Sequence, residues 1–122
     1  MLGLGIDLVS VERMARALGN PRFAPRVFTV QEMARFTVTQ NTYDAQRPAG
    51  VFAAKEAAAK ALGTGFTGGI TLRDIEIIRA DGAPCCVLHN AALKRLQAMG
   101  GTRIMISITH EKTVASAVAV VL

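Results

Sequence analysis

The chain has 122 residues, with no tryptophan and a single tyrosine. A core with so few aromatic side chains must be filled by small aliphatic residues at close approach, and alanine and valine are abundant. Cysteine is almost as scarce, and Cys85 and Cys86 are adjacent, which fits neither a metal-ligand spacing nor a disulfide framework. A reducing cytoplasm is the compartment expected. No basic N-terminal region precedes a long apolar run, because Asp7 interrupts what would be one, and the apolar stretch from Val114 to Leu122 is too short to cross a bilayer. A soluble protein is expected.

Against these absences, 51% of the residues are hydrophobic, on a chain of single-domain length with a high ratio of surface to volume. That much apolar surface favours a subunit interface. The net charge of +5 favours a polyanionic partner: nucleic acid, an acidic protein or a phosphorylated cofactor.

The segment from Val51 to Gly63 organises the rest. Its alanine, leucine, lysine and glutamate are good helix formers, and Gly63 stands where a C-terminal cap belongs. Pro48 is tolerated in a first helical turn, so the helix is expected to start between Asp44 and Pro48. At 100° per residue Ala53, Ala54, Ala57, Ala58 and Ala61 form a small apolar face, while Phe52, Lys55, Glu56, Ala59 and Lys60 gather on another. The simplest role for Glu56 and Lys60 is a solvated i, i+4 pair.

In Leu2 to Leu8 the even positions are large and apolar and the odd ones are glycine, glycine and aspartate, so a strand with the apolar side buried is predicted. Gly3 and Gly5 then leave room beside Asp7 for a ligand or another backbone. Ser10 caps a helix to about Leu18, whose Arg13 and Arg16 share a face. Thr29 and Glu32 have the form of a capping box opening a helix that buries Met33 and Phe36 and ends near Thr37. Val38 to Arg47 reads as a loop. After the glycine-rich Gly63 to Gly69, Leu72 to Arg79 and Cys85 to Leu88 form a hairpin about Asp81-Gly82-Ala83-Pro84. Asn90 caps a helix burying Ala92, Leu93 and Leu96, and His89 is expected at the surface. Two more strands, Arg103 to Thr109 and Val114 to Leu122, flank a turn at His110 to Thr113.

Asp7 and Glu56 are the best candidates for a shared hard-cation site, since two carboxylates with phosphate oxygens and waters suit Mg²⁺. Sequence spacing alone does not bring them together.

Taken in order, Gly3-Leu4-Gly5-Ile6-Asp7, Phe52-Ala53-Ala54-Lys55-Glu56-Ala57, Lys60-Ala61-Leu62-Gly63-Thr64-Gly65, Gly82-Ala83-Pro84 and Ser107-Ile108-Thr109-His110 resemble the holo-acyl carrier protein synthases, the small 4′-phosphopantetheinyl transferases. The resemblance implies an α+β fold with a long central helix packed on an antiparallel sheet, and a trimer with active sites between subunits. It implies transfer of the phosphopantetheine arm of coenzyme A to a serine of apo acyl carrier protein, releasing adenosine 3′,5′-bisphosphate. Asp7 and Glu56 would then ligate Mg²⁺ with the pyrophosphate, and Lys60 would stabilise charge on the phosphates or help deprotonate the serine. His110 would approach the coenzyme, with Glu111 beside the metal or acting as a base, and Gly63, Thr64 and Gly65 would flank the cofactor. Arg13, Arg16 and Arg26 would face the acidic carrier protein.

The chain departs from the family's pattern at Val51, where an arginine is common, so one basic contact is missing or supplied elsewhere; Thr109 replaces a usual serine and keeps the hydroxyl. Two other readings compete. A basic nucleic-acid-binding module would need clustered cations and exposed aromatics, whereas here the basic residues are spread from Arg13 to Lys112. An inactive relative would keep the fold alone.

Overall fold

The computed structural model describes residues 1–36 and 42–122. The elements run β1 (Gly3–Ser10), α1 (Val11–Leu18), α2 (Phe23–Val27), α3 (Val30–Met33), α4 (Thr42–Ala61), β2 (Ile75–Ala80), β3 (Ala83–Leu88), α5 (Asn90–Ala98), β4 (Ile104–His110) and β5 (Val114–Val121). Strands β1, β5 and β4 form an antiparallel sheet in that order, and β2 pairs with β3 in a separate hairpin. This is the expected α+β arrangement, with α4 lying across the larger sheet.

The helix and sheet meet through very small side chains. Ala53, Ala54, Ala57, Ala58 and Ala61 of α4 are buried, as are Ala115, Ala117 and Ala119 of β5. Strand β1 comes closest, because it has no side chains at the contact: a Cβ on Gly5 would lie 1.9 Å from the Ala57 carbonyl oxygen, and one on Gly3 would lie 2.0 Å from that of Ala61. The glycines therefore admit another backbone, one of the two options their spacing left open.

The predicted burial of β1 is inverted. Its glycine and aspartate side faces α4, while Leu4, Ile6 and Leu8 are 58%, 65% and 70% exposed. The alternation was correct, but the helix requires close approach and selects the side without Cβ atoms. Leu2 and Met105 are exposed as well.

Several boundaries also differ. Helix α4 begins at Thr42, so residues expected in a loop are helical and Pro48 lies inside the helix rather than in its first turn. Ala45 and Ala49 are buried in a cluster with Val11, Met14, Phe28 and Ala115, and this packing outweighs the backbone hydrogen bond that proline cannot make. The earlier part of that expected loop, and the expected helix end at Thr37, lie outside the described residues. Leu72–Asp74 is a 3₁₀ turn closed by a Thr71 and Asp74 capping box, not the start of a strand.

The Ser10 cap forms, with the Arg13 amide donating to its Oγ at 3.2 Å. The Thr29 and Glu32 capping box forms too, but α3 stops at Met33, and Met33 and Phe36 are half-buried. Asp81 and Gly82, both at positive φ (53° and 81°), make the two-residue hairpin turn that twisted strands prefer. His89, not Asn90, occupies the N-cap of α5; Asn90 donates to the Asp74 carboxylate at 3.1 Å, and Leu93 is exposed.

The largest departure on α4 is Lys55, which the wheel grouped with Glu56 and Lys60. It is fully buried, 2.7 Å from Glu32 Oε1, and also donates to the carbonyls of Leu72 (2.9 Å) and Ile75 (2.8 Å). Burial lowers its pKa, and the Glu32 carboxylate opposes that shift. Ala59 is buried as well, so the charged face narrows to Glu56 and Lys60.

Candidate functional site

Asp7 projects from the α4-facing side of β1 because it keeps the phase of Gly3 and Gly5. Its backbone carbonyl accepts a hydrogen bond from Ser116 Oγ at 2.9 Å, which ties β1 to β5 beside the carboxylate. Glu56 comes from the adjoining face of α4. Lys60, one turn later, reaches across to β1, donating to Asp7 Oδ1 at 3.1 Å and to the Ile6 carbonyl at 3.0 Å. The solvated Glu56 and Lys60 pair running along the helix gives way to a cross-element contact.

Asp7 and Glu56 line one open cleft of about 420 Å³ together with Ser10, Arg13, Phe23 and Phe52. The pKa of Glu56 is raised, first by burial and then by the negative charge of Asp7, with Lys60 opposing. Two carboxylates crowded in this way could hold a hard cation, which would relieve both the burial and the repulsion. Among the described residues no group of three or more His, Cys, Asp and Glu side chains forms a ready cage. A cation here would need further oxygens from a ligand and water.

The other expected site residues lie elsewhere. His110 ends β4 and its Nδ1 is 2.9 Å from Gln46 Oε1, in the first half of α4. Gln46 precedes Glu56 by ten residues, about 15 Å of helix. With Glu111 and Thr109, His110 lines a separate cleft of about 260 Å³. A single chain therefore does not bring His110 or Glu111 to the carboxylates, because β5 stands between β4 and β1. Glu111 instead accepts from Thr113 Oγ1 at 3.2 Å.

Gly63, Thr64 and Gly65 turn the chain directly after α4, with Gly63 and Gly65 at positive φ (80° and 58°) and the Gly63 amide donating to the Lys60 carbonyl at 2.9 Å. They begin within a turn of Lys60. Arg13, Arg16 and Arg26 are all exposed, and Arg13 forms part of the carboxylate cleft.

Other features were not anticipated. Phe52 and Phe23, with ring centroids 6.4 Å apart, wall the cleft. Around Val51 a second groove gathers Arg35, Arg47 and Arg79 near Pro84 and Ile108. Arg47 lies one helical turn before Val51, in a polar stretch whose sequence reads as loop.

The comparisons agree with this architecture. Residues 3–115 match the family model described as the 4′-phosphopantetheinyl transferase superfamily. The chain is 43% identical to a holo-[acyl-carrier-protein] synthase of Nitratidesulfovibrio vulgaris, covering 98% of this chain and 97% of that one. It is 46% identical to the corresponding enzyme of Solidesulfovibrio magneticus, covering 97% and 95%. Among solved structures, the Helicobacter pylori holo-[acyl-carrier-protein] synthase in complex with coenzyme A superposes with a TM-score of 0.82 at 28% identity, covering 98% of this chain and 99% of that one. No described helix is long and apolar enough to cross a membrane. The chain belongs to the 4′-phosphopantetheinyl transferase superfamily.

Proposed function

We propose that Asp7 and Glu56 hold the Mg²⁺ ion with which this chain, as a holo-acyl carrier protein synthase, transfers the 4′-phosphopantetheine arm of coenzyme A to a serine hydroxyl of apo acyl carrier protein. The observation that carries the assignment is the meeting of Asp7 and Glu56 at one cleft, with Lys60 paired to Asp7 at 3.1 Å. Asp7 and Glu56 would hold the ion against the pyrophosphate, where it would supply charge neutralisation as the serine oxygen bonds to the pantetheine-side phosphorus and the bridging P–O bond breaks, with adenosine 3′,5′-bisphosphate as the leaving group. Lys60 holds its ammonium beside the phosphates and stabilises their charge. Gly63, Thr64 and Gly65 flank the coenzyme. Arg13, at the cleft, and Arg16 and Arg26, on exposed surface, receive the acidic carrier protein.

His110 and Glu111 lie too far from the carboxylates of their own chain to act there, which favours a site completed by a second copy. The exposed stripe of Leu4, Ile6 and Leu8, with Met105 on the same sheet face, is the surface that such copies would bury in a homotrimer. In that assembly His110 approaches the coenzyme's phosphates, with Glu111 near the metal or acting as a base. Arg47, with Arg35 and Arg79, supplies the basic contact that Val51 lacks. The chain works as a single phosphopantetheinyl transferase domain. The free thiols of Cys85 and Cys86 suit a reducing cytoplasm.

Intact-protein mass spectrometry tests the proposal: apo acyl carrier protein incubated with this protein, coenzyme A and Mg²⁺ should gain the mass of one phosphopantetheine arm, and a chelator should prevent the gain. Asp7→Ala or Glu56→Ala should abolish the transfer without unfolding the protein. Full activity of the double variant would sink the metal assignment, and no transfer by the wild type while coenzyme A still binds would indicate an inactive relative.

A further inference from the structure

We propose that the buried Glu32 and Lys55 pair is a positioning device for the cleft: it fixes the rotation of α4 about its own axis, and so the direction in which the neighbouring Glu56 points. The inference rests on the reading of Glu56 as a metal ligand.

The need for such a device follows from how α4 is packed. The face it presents to the sheet is almost wholly alanine, set against glycine and alanine. Contacts of this kind fix the distance between two elements firmly, since backbone meets backbone. They resist rotation weakly, because single methyl groups present a nearly smooth surface and apolar attraction has no direction. Rotation matters to the site. A carboxylate about 5.5 Å from the helix axis moves about 2 Å for every 20° of turn. Mg²⁺ demands ligand distances of about 2.0–2.1 Å in near-octahedral geometry.

Lys60 and Gln46 also bond from α4 to the sheet, but at exposed positions; Lys55 supplies the buried constraint. Its ammonium is held by acceptors from separate parts of the chain: Glu32 Oε1 in α3 at 2.7 Å, the Leu72 carbonyl in the 3₁₀ turn at 2.9 Å and the Ile75 carbonyl in β2 at 2.8 Å. Glu32 is itself fixed, by the Thr29 amide on Oε1 at 2.8 Å and the Ile77 amide on Oε2 at 2.7 Å. Every bond is short and both side chains are fully buried. Buried ion pairs contribute little net stability compared with apolar packing, whereas their geometry is specific. Lys55 is one residue from Glu56, so any rotation of α4 that the pair forbids to one is forbidden to the other.

The test uses two variants of the full-length protein. Glu32→Asp keeps both charges and draws the carboxylate back by one methylene. Glu32→Gln combined with Lys55→Met removes both charges at nearly constant volume. Folding is followed by circular dichroism, and metal binding by electron paramagnetic resonance of Mn²⁺ titrated into protein saturated with coenzyme A. In a folded variant, Mn²⁺ affinity should fall tenfold or more and kcat should fall with it, while KM for acyl carrier protein changes less than twofold. A folded variant that binds Mn²⁺ within twofold of wild type would overturn the proposal, as would failure of both variants to fold, which would make the pair a requirement of the fold. An Asp7→Asn control separates the two readings: if it binds Mn²⁺ as wild type does, the metal site itself is misplaced.

Discussion

Replacing Gly5 with alanine probes the contact on which both fold and cleft depend. The added Cβ would lie 1.9 Å from the Ala57 carbonyl oxygen, 2.8 Å from the Ala61 nitrogen and 2.9 Å from the Ala57 carbonyl carbon. All of these are backbone atoms, so no side-chain rotation relieves the clash. Restoring an ordinary carbon to oxygen contact of about 3.3 Å requires β1 and α4 to separate by roughly 1.4 Å. A gap of that order forfeits much of the dispersion attraction along the interface, so the cost should reach about 3 kcal/mol, the upper end for overpacking. With a urea dependence of about 2 kcal/mol/M, the unfolding midpoint should fall by about 1.5 M at fixed protein concentration. Gly68→Ala is the control: nothing lies within 4 Å of its Cβ, and only its φ of +65° opposes the change, at about 1 kcal/mol. Gly5→Ala should also lower transfer activity at denaturant-free conditions, because Asp7 moves away from α4 with the strand. Equal midpoints for the two variants would refute the close contact and the assignment of the glycine side of β1 to the interior.

Three further outcomes are expected. Without metal, Glu56 holds its proton more tightly in the folded than in the unfolded protein, so the stability it contributes at low pH is lost as pH rises through its raised pKa; Glu56→Gln should not show that loss, and parallel urea midpoints across the pH range would refute the assignment. Ile6→Asp should reduce the mass measured by analytical ultracentrifugation to that of one chain, if the exposed β1 stripe joins the copies; an unchanged mass would exclude that face. Arg13→Glu should raise KM for acyl carrier protein far more than that for coenzyme A, and equal effects on both would misplace the docking surface.

Much was legible in the sequence. The alanine face of α4, the caps at Ser10 and Thr29, the Asp81-Gly82 turn, the alternation of β1 and β4 and the β-rich run of β5 are local patterns, and local patterns are what a sequence displays. Asp7, Glu56 and Lys60 stood out as chemistry-bearing residues, and the family resemblance ordered them. Other features depend on distant neighbours. Lys55 looked like Lys60 on the helical wheel, and only partners at Glu32, Leu72 and Ile75 make its burial affordable. The first turns of α4 read as loop because Pro48 and polar residues oppose a helix locally, while burial of Ala45 and Ala49 favours it globally.

Strand β1 states the division most clearly. Period-two alternation determined that its residues divide between two faces, but alternation is symmetric and does not say which face is inside. The helix made that choice: a backbone approaching this closely excludes every side chain larger than hydrogen, so the glycines turned inward and carried Asp7 with them toward Glu56 and Lys60. The sequence by itself named Asp7, Glu56, Lys60 and His110 as candidates, and the tertiary structure decided that Asp7 meets both Glu56 and Lys60 while His110 stands two strands away.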